Sequence, residues 1–153
     1  SDVGLRGTIP SSIGMLSNLG ILKLSKGHLV GPLPSEISRL SKLEEMHLHF
    51  NQLTGTIPSS FGNLQNLKQC MLNRNKLDGT IPEQLGSLKK LAKLYLHSND
   101  FIGTMPQLVC DLNMDRLSSD CENLTLPQEV ECSCCTDCCE DVEKKFLKLG
   151  SLC

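Results

Sequence analysis

Aromatic side chains are scarce in this chain of 153 residues, which has four Phe, one Tyr and no Trp. Its buried surface must therefore come from aliphatic residues, chiefly Leu and Ile. An excess of charge of one sign is also lacking, because the formal net charge is −2 at pH 7. Neither nucleic acid nor an acidic membrane is an obvious partner for such a chain. No apolar run approaches the roughly 20 residues that cross a bilayer, so the sequence predicts no transmembrane segment.

The sequence motifs of catalysis are absent too. There is no G-x-S-x-G, no H-E-x-x-H, no phosphate-binding loop and no kinase motif. The cysteines cluster without a neighbouring base, so a thiol nucleophile has no support. We therefore expect a binding protein and not an enzyme, without catalytic residues or a cofactor.

The chain has neither an initiator Met nor a signal peptide. Its apolar positions begin almost at once, at Leu5, Ile9, Ile13 and Leu16, without an N-terminal cysteine cap. Because the end of a repeat array normally carries a capping unit, we expect more repeats upstream in the natural protein.

A repeat of 24 residues runs without insertion or deletion from Leu5 to Pro106. Its recurring positions are Leu5, Leu29, Leu53, Leu77 and Phe101, then Gly7, Gly31, Gly55, Gly79 and Gly103, then Pro10, Pro34, Pro58, Pro82 and Pro106. A fixed period of this length predicts a solenoid, in which each unit buries its apolar face against its neighbours. Such a scaffold presents rows of side chains on a rigid surface, which favours binding over chemistry.

Each unit predicts one strand and a long return connection. An L-x-L core alternates with period two, as a strand with one buried face should, at Leu22/Leu24, Met46/Leu48, Cys70/Leu72 and Leu94/Leu96. The asparagines that follow the strands, Asn51, Asn75 and Asn99, are suited to bonding backbone groups in a ladder, which Gly27 weakens. The repeated Gly permits an unusual backbone conformation, and the Pro that follows opens a short helical turn.

The full unit reads L-x-x-L-x-L-x-x-N-x-L-x-G-x-I-P-x-x-I-G-x-L, and it resembles the plant-type leucine-rich repeat. The subclass signature is seen in Leu53-Thr54-Gly55-Thr56-Ile57-Pro58 and again over 77–82. The resemblance implies an α/β solenoid with a parallel concave β-sheet and short 3₁₀ turns on the convex side. It also implies extracellular recognition of a protein, peptide or glycan, by a receptor-like ectodomain fragment or a secreted binding or inhibitor protein.

The period breaks after Pro106, and eight of the nine cysteines follow. They are Cys110, Cys121, Cys132, Cys134, Cys135, Cys138, Cys139 and Cys153. The ninth, Cys70, occupies an inward strand position and is predicted to be a buried free thiol. An even set at this density predicts a cap stapled by disulfides in an oxidising compartment, so we divide the chain into repeats at 1–109 and a cysteine-rich C-terminal cap at 110–153.

A metal site is the rival interpretation of this segment, because Cys132-x-x-Cys135 and Cys135-x-x-Cys138 have zinc-like spacing. No second separated pair and no nearby His support it. The segment 132–139 resembles the cap of diatom leucine-rich repeat proteins, several of which have a membrane span upstream of an extracellular repeat domain. That resemblance implies a membrane anchor upstream of this chain. The glycosylation sequon at Asn123 adds to the prediction of an extracellular or cell-surface glycoprotein.

The exposed strand positions should stack into rows about 4.8 Å apart. The rows are Ile21, Glu45, Gln69 and Lys93; Lys23, His47, Met71 and Tyr95; Ser25, His49, Asn73 and His97; and Lys26, Phe50, Arg74 and Ser98. We predict a ligand site of Lys23, Lys26, Glu45, His47, His49, Phe50, Met71, Asn73, Arg74, Lys93, Tyr95 and His97. These rows are basic apart from Glu45, and they include aromatic and Arg anchors of the kind favoured at binding hot spots.

The ligand is accordingly expected to be anionic, and protonation of the histidines below about pH 6.5 to tighten its binding. An idle solvated surface is the plainer interpretation of the same residues. A metal site of His47, His49 and His97 would need long reaches, since His97 is two strands away, at about 10 Å. At the level of the whole protein, the alternatives are a structural or adhesive cell-surface protein and an intracellular scaffold with a zinc-binding cysteine cluster.

Overall fold

A computed structural model describes residues 4–119 and 130–138 of the chain. The predictions for Cys121, Asn123, Cys139 and Cys153 concern residues outside these ranges. The division of the chain into repeats and cap, and the pairing of Cys138, stay predictions.

The strands, numbered along the chain, form two main parallel sheets. The first has five strands, β1 (Arg6–Gly7), β3 (His28–Pro32), β5 (Gln52–Gly55), β7 (Lys76–Gly79) and β9 (Asp100–Phe101), in that order. The second has six, β2 (Ile21–Lys23), β4 (Glu45–His47), β6 (Gln69–Met71), β8 (Lys93–Tyr95), β11 (Arg116–Ser119) and β13 (Asp137–Cys138), also in that order. We call the six-stranded sheet the concave sheet and the five-stranded sheet the lateral sheet. A third pairing joins β10 (Gly103–Thr104) to β12 (Val130–Glu131).

The lateral sheet is a feature that the sequence pattern did not predict, because the L-x-G segment was assigned to a return connection. In the structure this segment alternates as a strand does, with Leu53 buried between exposed Gln52 and Thr54. Each lateral strand from β3 to β7 ends at or beside a glycine in the left-handed region, such as Gly55 with φ of 73°. The alternation is only about three residues long, which is why it is hard to recognise as a strand from sequence.

The short helical turns predicted after proline are confirmed. Four 3₁₀ helices begin directly after proline, and they are η1 (Ser11–Met15), η2 (Ser35–Arg39), η3 (Ser59–Asn63) and η4 (Glu83–Ser87). In the fifth unit the turn is instead a short α-helix, α1 (Gln107–Cys110). Adjacent turns pack closely, since a Cβ placed on Gly62 would lie 2.6 Å from the Gln84 carbonyl oxygen.

The core is the stack of aliphatic side chains between the sheets and the turns. The inward pairs Met46/Leu48 and Leu94/Leu96 are fully buried, which confirms the predicted L-x-L strands. Cys70 is buried in the same stack as a free thiol, also as predicted. None of the helices in the described part of the chain is long and apolar enough to cross a membrane.

The asparagine ladder is confirmed at all three asparagines. Asn51 accepts a hydrogen bond from the Leu29 amide at 3.1 Å, and it donates to the carbonyl oxygens of Leu24 and Leu48 at 2.8 and 3.0 Å. Asn75 and Asn99 repeat these three bonds one and two units later. Each asparagine therefore satisfies backbone groups of its own unit and of the preceding one, which locks neighbouring units together.

The cap continues the concave sheet. In β11, Leu117 is opposite Leu94 and Arg116 is opposite Lys93, so the unit here has lost one residue relative to the repeat. The Thr136 hydroxyl accepts from the Leu117 amide at 2.9 Å and donates to its carbonyl oxygen at 3.1 Å. Two disulfides, Cys110–Cys134 and Cys132–Cys135, lie in this region. The predicted solenoid with a cysteine-rich cap is the observed fold.

Candidate functional site

The predicted rows of exposed side chains exist on the concave sheet. Backbone pairing puts Lys23, His47, Met71 and Tyr95 in one row, and Ile21, Glu45, Gln69 and Lys93 in the next. Backbone hydrogen bonds extend this register beyond the strands: the Lys26 amide donates to the His49 carbonyl at 3.0 Å, and the Arg74 amide donates to that of His97 at 2.9 Å. Repeat arithmetic therefore identified true neighbours, because the strands are parallel and in register.

The last row has an unusual backbone conformation. Lys26, Phe50, Arg74 and Ser98 all have φ between 56° and 58°, in the left-handed region that favours glycine. Such a residue costs of order 1–3 kcal/mol and persists only where its surroundings hold it. Here the amides of Phe50 and Asn51 donate to the next unit, to the carbonyls of Asn73 and Arg74, both at 3.2 Å. The row places long side chains along the edge of the concave sheet.

A hollow of about 290 Å³ lies among these rows. It is lined by His49, Phe50, Met71, Asn73, Arg74, Tyr95 and His97, all of which belong to the predicted site. Arg74 Cζ lies 4.8 Å from the centroid of the Phe50 ring, which is the geometry of a cation–π contact. The His49 ring meets the same phenyl ring edge-on, with centroids 5.5 Å apart. Phe50 is 42 % exposed and so is still available to a ligand.

The other predicted residues, Lys23, Lys26, Glu45, His47 and Lys93, lie outside the lining of this hollow. His97 lines it but is buried, with 7 % of its surface exposed, whereas the sequence placed it in an exposed row. Arg116 and Ser118 extend the first two rows through β11, and sequence reasoning missed them. The signal was Met114-x-x-Leu117, which copies Leu91-x-x-Leu94 but begins 23 residues later, one short of the period.

Glu45 is the only acidic residue among the predicted positions, and it is already paired. Its carboxylate lies 3.2 Å from Lys23 Nζ and 3.3 Å from His47 Nε2. A partly exposed pair of this kind contributes about 0–1 kcal/mol to stability. Its main effect is on the field of the surface, because the one carboxylate is neutralised while Lys26, Arg74 and Lys93 remain as cations on the same face.

Both histidines beside Glu45 are held in the neutral form. Burial lowers the pKa of His47, with a further lowering from Lys23 and an opposing effect of Glu45. Burial also lowers the pKa of His49, and His47 and Lys26 act in the same direction. Within the described residues His49 Nδ1 has no hydrogen-bond partner, and neither does His47 Nε2, since its approach to Glu45 lacks hydrogen-bond geometry. Protonation of this pair therefore falls below pH 6.5, lower than the sequence suggested.

No group of three or more His, Cys, Asp or Glu side chains within residues 4–119 and 130–138 is placed to hold a metal ion. His47 and His49 are neighbours, with ring centroids 6.1 Å apart. The four cysteines with described side chains in the cap are joined in two disulfides, so their sulfurs are not thiolate ligands in this structure.

A second regular surface lies on the lateral sheet, and the sequence did not single it out. Four threonines and one proline occupy the same exposed repeat position, Thr8, Pro32, Thr56, Thr80 and Thr104. The methyl groups of these threonines sit over the glycines of the next unit: Thr56 Cγ2 is 2.8 Å and Thr80 Cγ2 3.5 Å from where a Cβ of Gly79 or Gly103 would be. This packing fixes the threonine rotamers, so the row is rigid.

Comparison with known proteins agrees with this fold. Residues 41–101 match the family described as leucine rich repeat. Curated protein sequences give no match. Among solved structures, the Arabidopsis receptor kinase HAESA, in complex with the peptide hormone IDA and the co-receptor SERK1, is 32 % identical over 76 % of this chain, with a TM-score of 0.73.

Two further structures are similar to this chain. The leucine-rich repeat ectodomain of the receptor kinase SOBIR1 from Arabidopsis thaliana is 36 % identical over 72 % of this chain, with a TM-score of 0.68, and a plant ice-binding protein is 33 % identical over 80 %, with a TM-score of 0.71. The chain spans 20 % of the HAESA chain, 59 % of the SOBIR1 chain and 39 % of the ice-binding chain. This protein is a leucine-rich repeat protein, and its solenoid is of the kind found in plant receptor-kinase ectodomains.

Proposed function

We propose that this solenoid is an extracellular recognition module whose concave sheet binds a peptide, or an extended segment of a protein, that carries an acidic group. The observation that carries the proposal is the hollow built around Phe50 and Arg74. It combines an aromatic face, a guanidinium and the apolar surface of Met71 and Tyr95 within about 290 Å³.

The composition of the hollow is that of a binding hot spot. Tyr, Phe, Met and Arg are enriched in the centres of interfaces, where they supply large contact areas at small entropic cost. Asn73 and His49 add polar groups at the same place. A ligand side chain of moderate size, such as an aliphatic or aromatic residue, would fill the hollow and displace water from Met71 and Tyr95.

The charge of the surrounding rows selects an acidic partner. Lys26, Lys93 and Arg74 lie on the face that holds the hollow, and its one predicted carboxylate is occupied by Lys23. Such a field speeds association with an anionic ligand and disfavours cationic ones. A similar solenoid, that of HAESA, occurs in complex with a peptide hormone, which supports a peptide as the ligand.

The cap supports an extracellular site of action. Disulfides persist in oxidising compartments, and two of them join cysteines of the cap. We propose binding without catalysis, since the hollow holds no nucleophile paired with a base in the described residues.

The proposal is tested by selecting ligands from a library of displayed random 12-residue peptides, about the length of chain that spans several units. Enriched peptides are then titrated, as fluorescent conjugates, against the wild-type chain and Arg74→Glu combined with Phe50→Ala. We expect acidic peptides with one large apolar residue, and a loss of affinity of at least about 100-fold in the double variant. The matched control combines Arg39→Glu with Ile102→Ala, which makes the same changes at exposed positions off the concave sheet. Equal binding by wild type and the concave double variant would refute the proposal.

A second candidate function rests on the threonine row of the lateral sheet. Its members are evenly spaced by about 4.8 Å, rigid and uncharged, and Val30, Thr54 and Ile102 flank it with further β-branched side chains. A flat array of evenly spaced hydroxyl and methyl groups is suited to a periodic solid such as the surface of ice. The similar plant ice-binding protein gives this candidate a precedent. Asp78, exposed in the same sheet, is the feature that opposes it.

Ice binding has its own readout, the growth rate of ice crystals in a frozen protein–sucrose solution. If the candidate is correct, the wild-type chain slows recrystallisation and Thr80→Tyr, which breaks the flatness of the row, removes the effect. Ser12→Tyr, at an exposed position of η1, is the matched control and should retain it. Recrystallisation at the rate of a protein-free solution would exclude this function and leave peptide binding unaffected.

A further inference from the structure

The two disulfides of the cap lie side by side. Cys110–Cys134 joins α1 to the cap segment, with a sequence separation of 24 residues. Cys132–Cys135 closes a loop with a separation of only 3 residues. One sulfur of each bridge touches the other bridge, since Cys132 Sγ lies 4.0 Å from Cys134 Sγ. All four cysteines are partly buried against the core, so the contact is held by packing.

The two bridges constrain the chain very differently. A cross-link restricts the unfolded chain more when the loop that it closes is longer, so Cys110–Cys134 does most of the covalent work of holding the cap. The short bridge leaves the path of the chain almost unchanged when it opens. The segment would still be placed by the hydrogen bonds of Thr136 to Leu117 and by the pairing of β13 with β11. Opening the short bridge therefore leaves the Cys132 sulfur beside Cys134.

We propose that Cys132–Cys135 is a thiol-exchange site, at which a dithiol reductant opens the short bridge and Cys132 then attacks Cys134. In the first step the reductant supplies two electrons and two protons, becomes a disulfide itself, and leaves Cys132 and Cys135 as thiols. In the second step the Cys132 thiolate forms a bond to Cys134 Sγ, and the Cys110–Cys134 bond breaks. Cys110 leaves as a thiolate and takes up the proton that Cys132 lost, so this step consumes no electrons.

The exchange would release α1 from its covalent tie to the cap without a second reductant. Cys110 occupies the repeat position of Gly62 and Gly86, where the turns of adjacent units pack closely, so its release acts on the boundary between the last turn and the cap. The remaining free thiol of the repeats does not compete. Cys70 is fully buried, and burial raises its pKa to about 12, so it supplies almost no thiolate.

The first test is limited reduction of the full wild-type chain with substoichiometric dithiothreitol at pH 8. The reaction is stopped with acid, free thiols are alkylated, and the label at each cysteine is read by peptide mass spectrometry. The proposal expects label on Cys135 together with label divided between Cys132 and Cys110. Label confined to Cys132 and Cys135, with the Cys110–Cys134 peptide pair intact, would overturn it, as would a first opening at Cys110–Cys134.

Two variants separate contact-driven exchange from general scrambling with the other cysteines. Cys135→Ser leaves the Cys132 thiol, which touches Cys134, whereas Cys132→Ser leaves the Cys135 thiol. Alkylation of Cys110 is expected to be at least about tenfold greater in Cys135→Ser than in Cys132→Ser. Equal labelling of Cys110 in the two variants would show that exchange does not pass through Cys132. The limited reduction of the wild type decides the question should either variant fail to fold.

Discussion

The Arg74 guanidinium lies 4.8 Å above the Phe50 ring, and the two residues occupy the same position in consecutive repeats. Both have the left-handed backbone conformation, with φ of 57° and 56°. A short glycine or asparagine would adopt this conformation more easily. The backbone cost is compatible with a role for these side chains in binding, because the repeat supports the conformation through its ladder of lateral hydrogen bonds.

A first prediction separates the binding role of Phe50 from its structural role. Phe50→Gly removes the cation–π contact, worth about 0.5–1 kcal/mol at an exposed site, and also removes a backbone cost of about 1–2 kcal/mol. The greater entropy of glycine in the unfolded chain offsets part of that gain, so the free energy of unfolding should change by less than about 1 kcal/mol. Urea titration followed by circular dichroism measures it, and peptide affinity should fall by more than about tenfold.

Phe61 provides the contrast for this prediction. It is fully buried in the core beneath η3, and Phe61→Ala should cost about 3–5 kcal/mol. A loss of that size in Phe50→Gly would mean that Phe50 is part of the core and would remove the argument that it is kept for a ligand.

A second prediction concerns the asparagine ladder. Asn75→Ala leaves the Leu53 amide and one acceptor site on each of the Leu48 and Leu72 carbonyls without their partner. Unsatisfied buried polar groups cost about 1–3 kcal/mol each, so the free energy of unfolding should fall by about 2–4 kcal/mol. Asn63→Ala, at an exposed position in η3, should change it by less than about 0.5 kcal/mol. Similar effects of the two substitutions, measured by urea unfolding, would contradict the ladder.

The parts of this molecule that follow the repeat could be predicted from sequence, and those that depart from it could not. Glu45 and Gln69 were identified as neighbours because parallel strands in register turn a spacing of 24 residues into one lateral step. The burial of Met46 and Leu48 followed from their alternation alone. In each case a local pattern was reinforced by several copies of itself.

Arg116 was missed because one deleted residue moves β11 out of the period, although the pairing of Leu117 with Leu94 restores the sheet. The exposure of His97 was misjudged because the pattern does not reveal that β11 extends the sheet beyond β8. The left-handed conformation of Phe50 has no local signal, since no glycine or asparagine occupies the position. Each of these features is set by tertiary contacts between units, which a single sequence records only weakly.

A third prediction concerns the close approach of adjacent turns. A Cβ on Gly62 would lie 2.6 Å from the Gln84 carbonyl oxygen and 2.9 Å from its Cβ, so Gly62→Ala must push η3 and η4 apart. Overpacking of this kind costs about 1–3 kcal/mol. Gly20→Ala is the matched control, because the nearest atom to its Cβ, the Lys42 carbonyl oxygen, is 3.8 Å away. Thermal unfolding should show a lower Tm for Gly62→Ala and an unchanged or slightly higher Tm for Gly20→Ala.

The last prediction is the pH dependence that follows from His47 and His49. Burial lowers both pKa values in the folded chain relative to 6.5. As the pH falls through 6.5, the unfolded chain therefore binds protons that the folded chain does not, and these two residues lower stability. Their contribution is fully favourable above pH 6.5 and is lost progressively below it. Replacement by His47→Gln and His49→Asn, which cannot be protonated, should reduce the loss of Tm between pH 7.5 and pH 5.

The comparison must be of the change with pH and not of Tm itself, because the substitutions alter packing at both pH values and other groups titrate in both proteins. Differential scanning calorimetry of wild type and double variant at the two pH values gives the difference directly. A double variant that loses as much Tm as the wild type would mean that these histidines titrate alike in the folded and unfolded chains. In that case the neutral pair beside Glu45 would not be a property of the folded protein, and proton-dependent binding at the hollow would have to arise elsewhere.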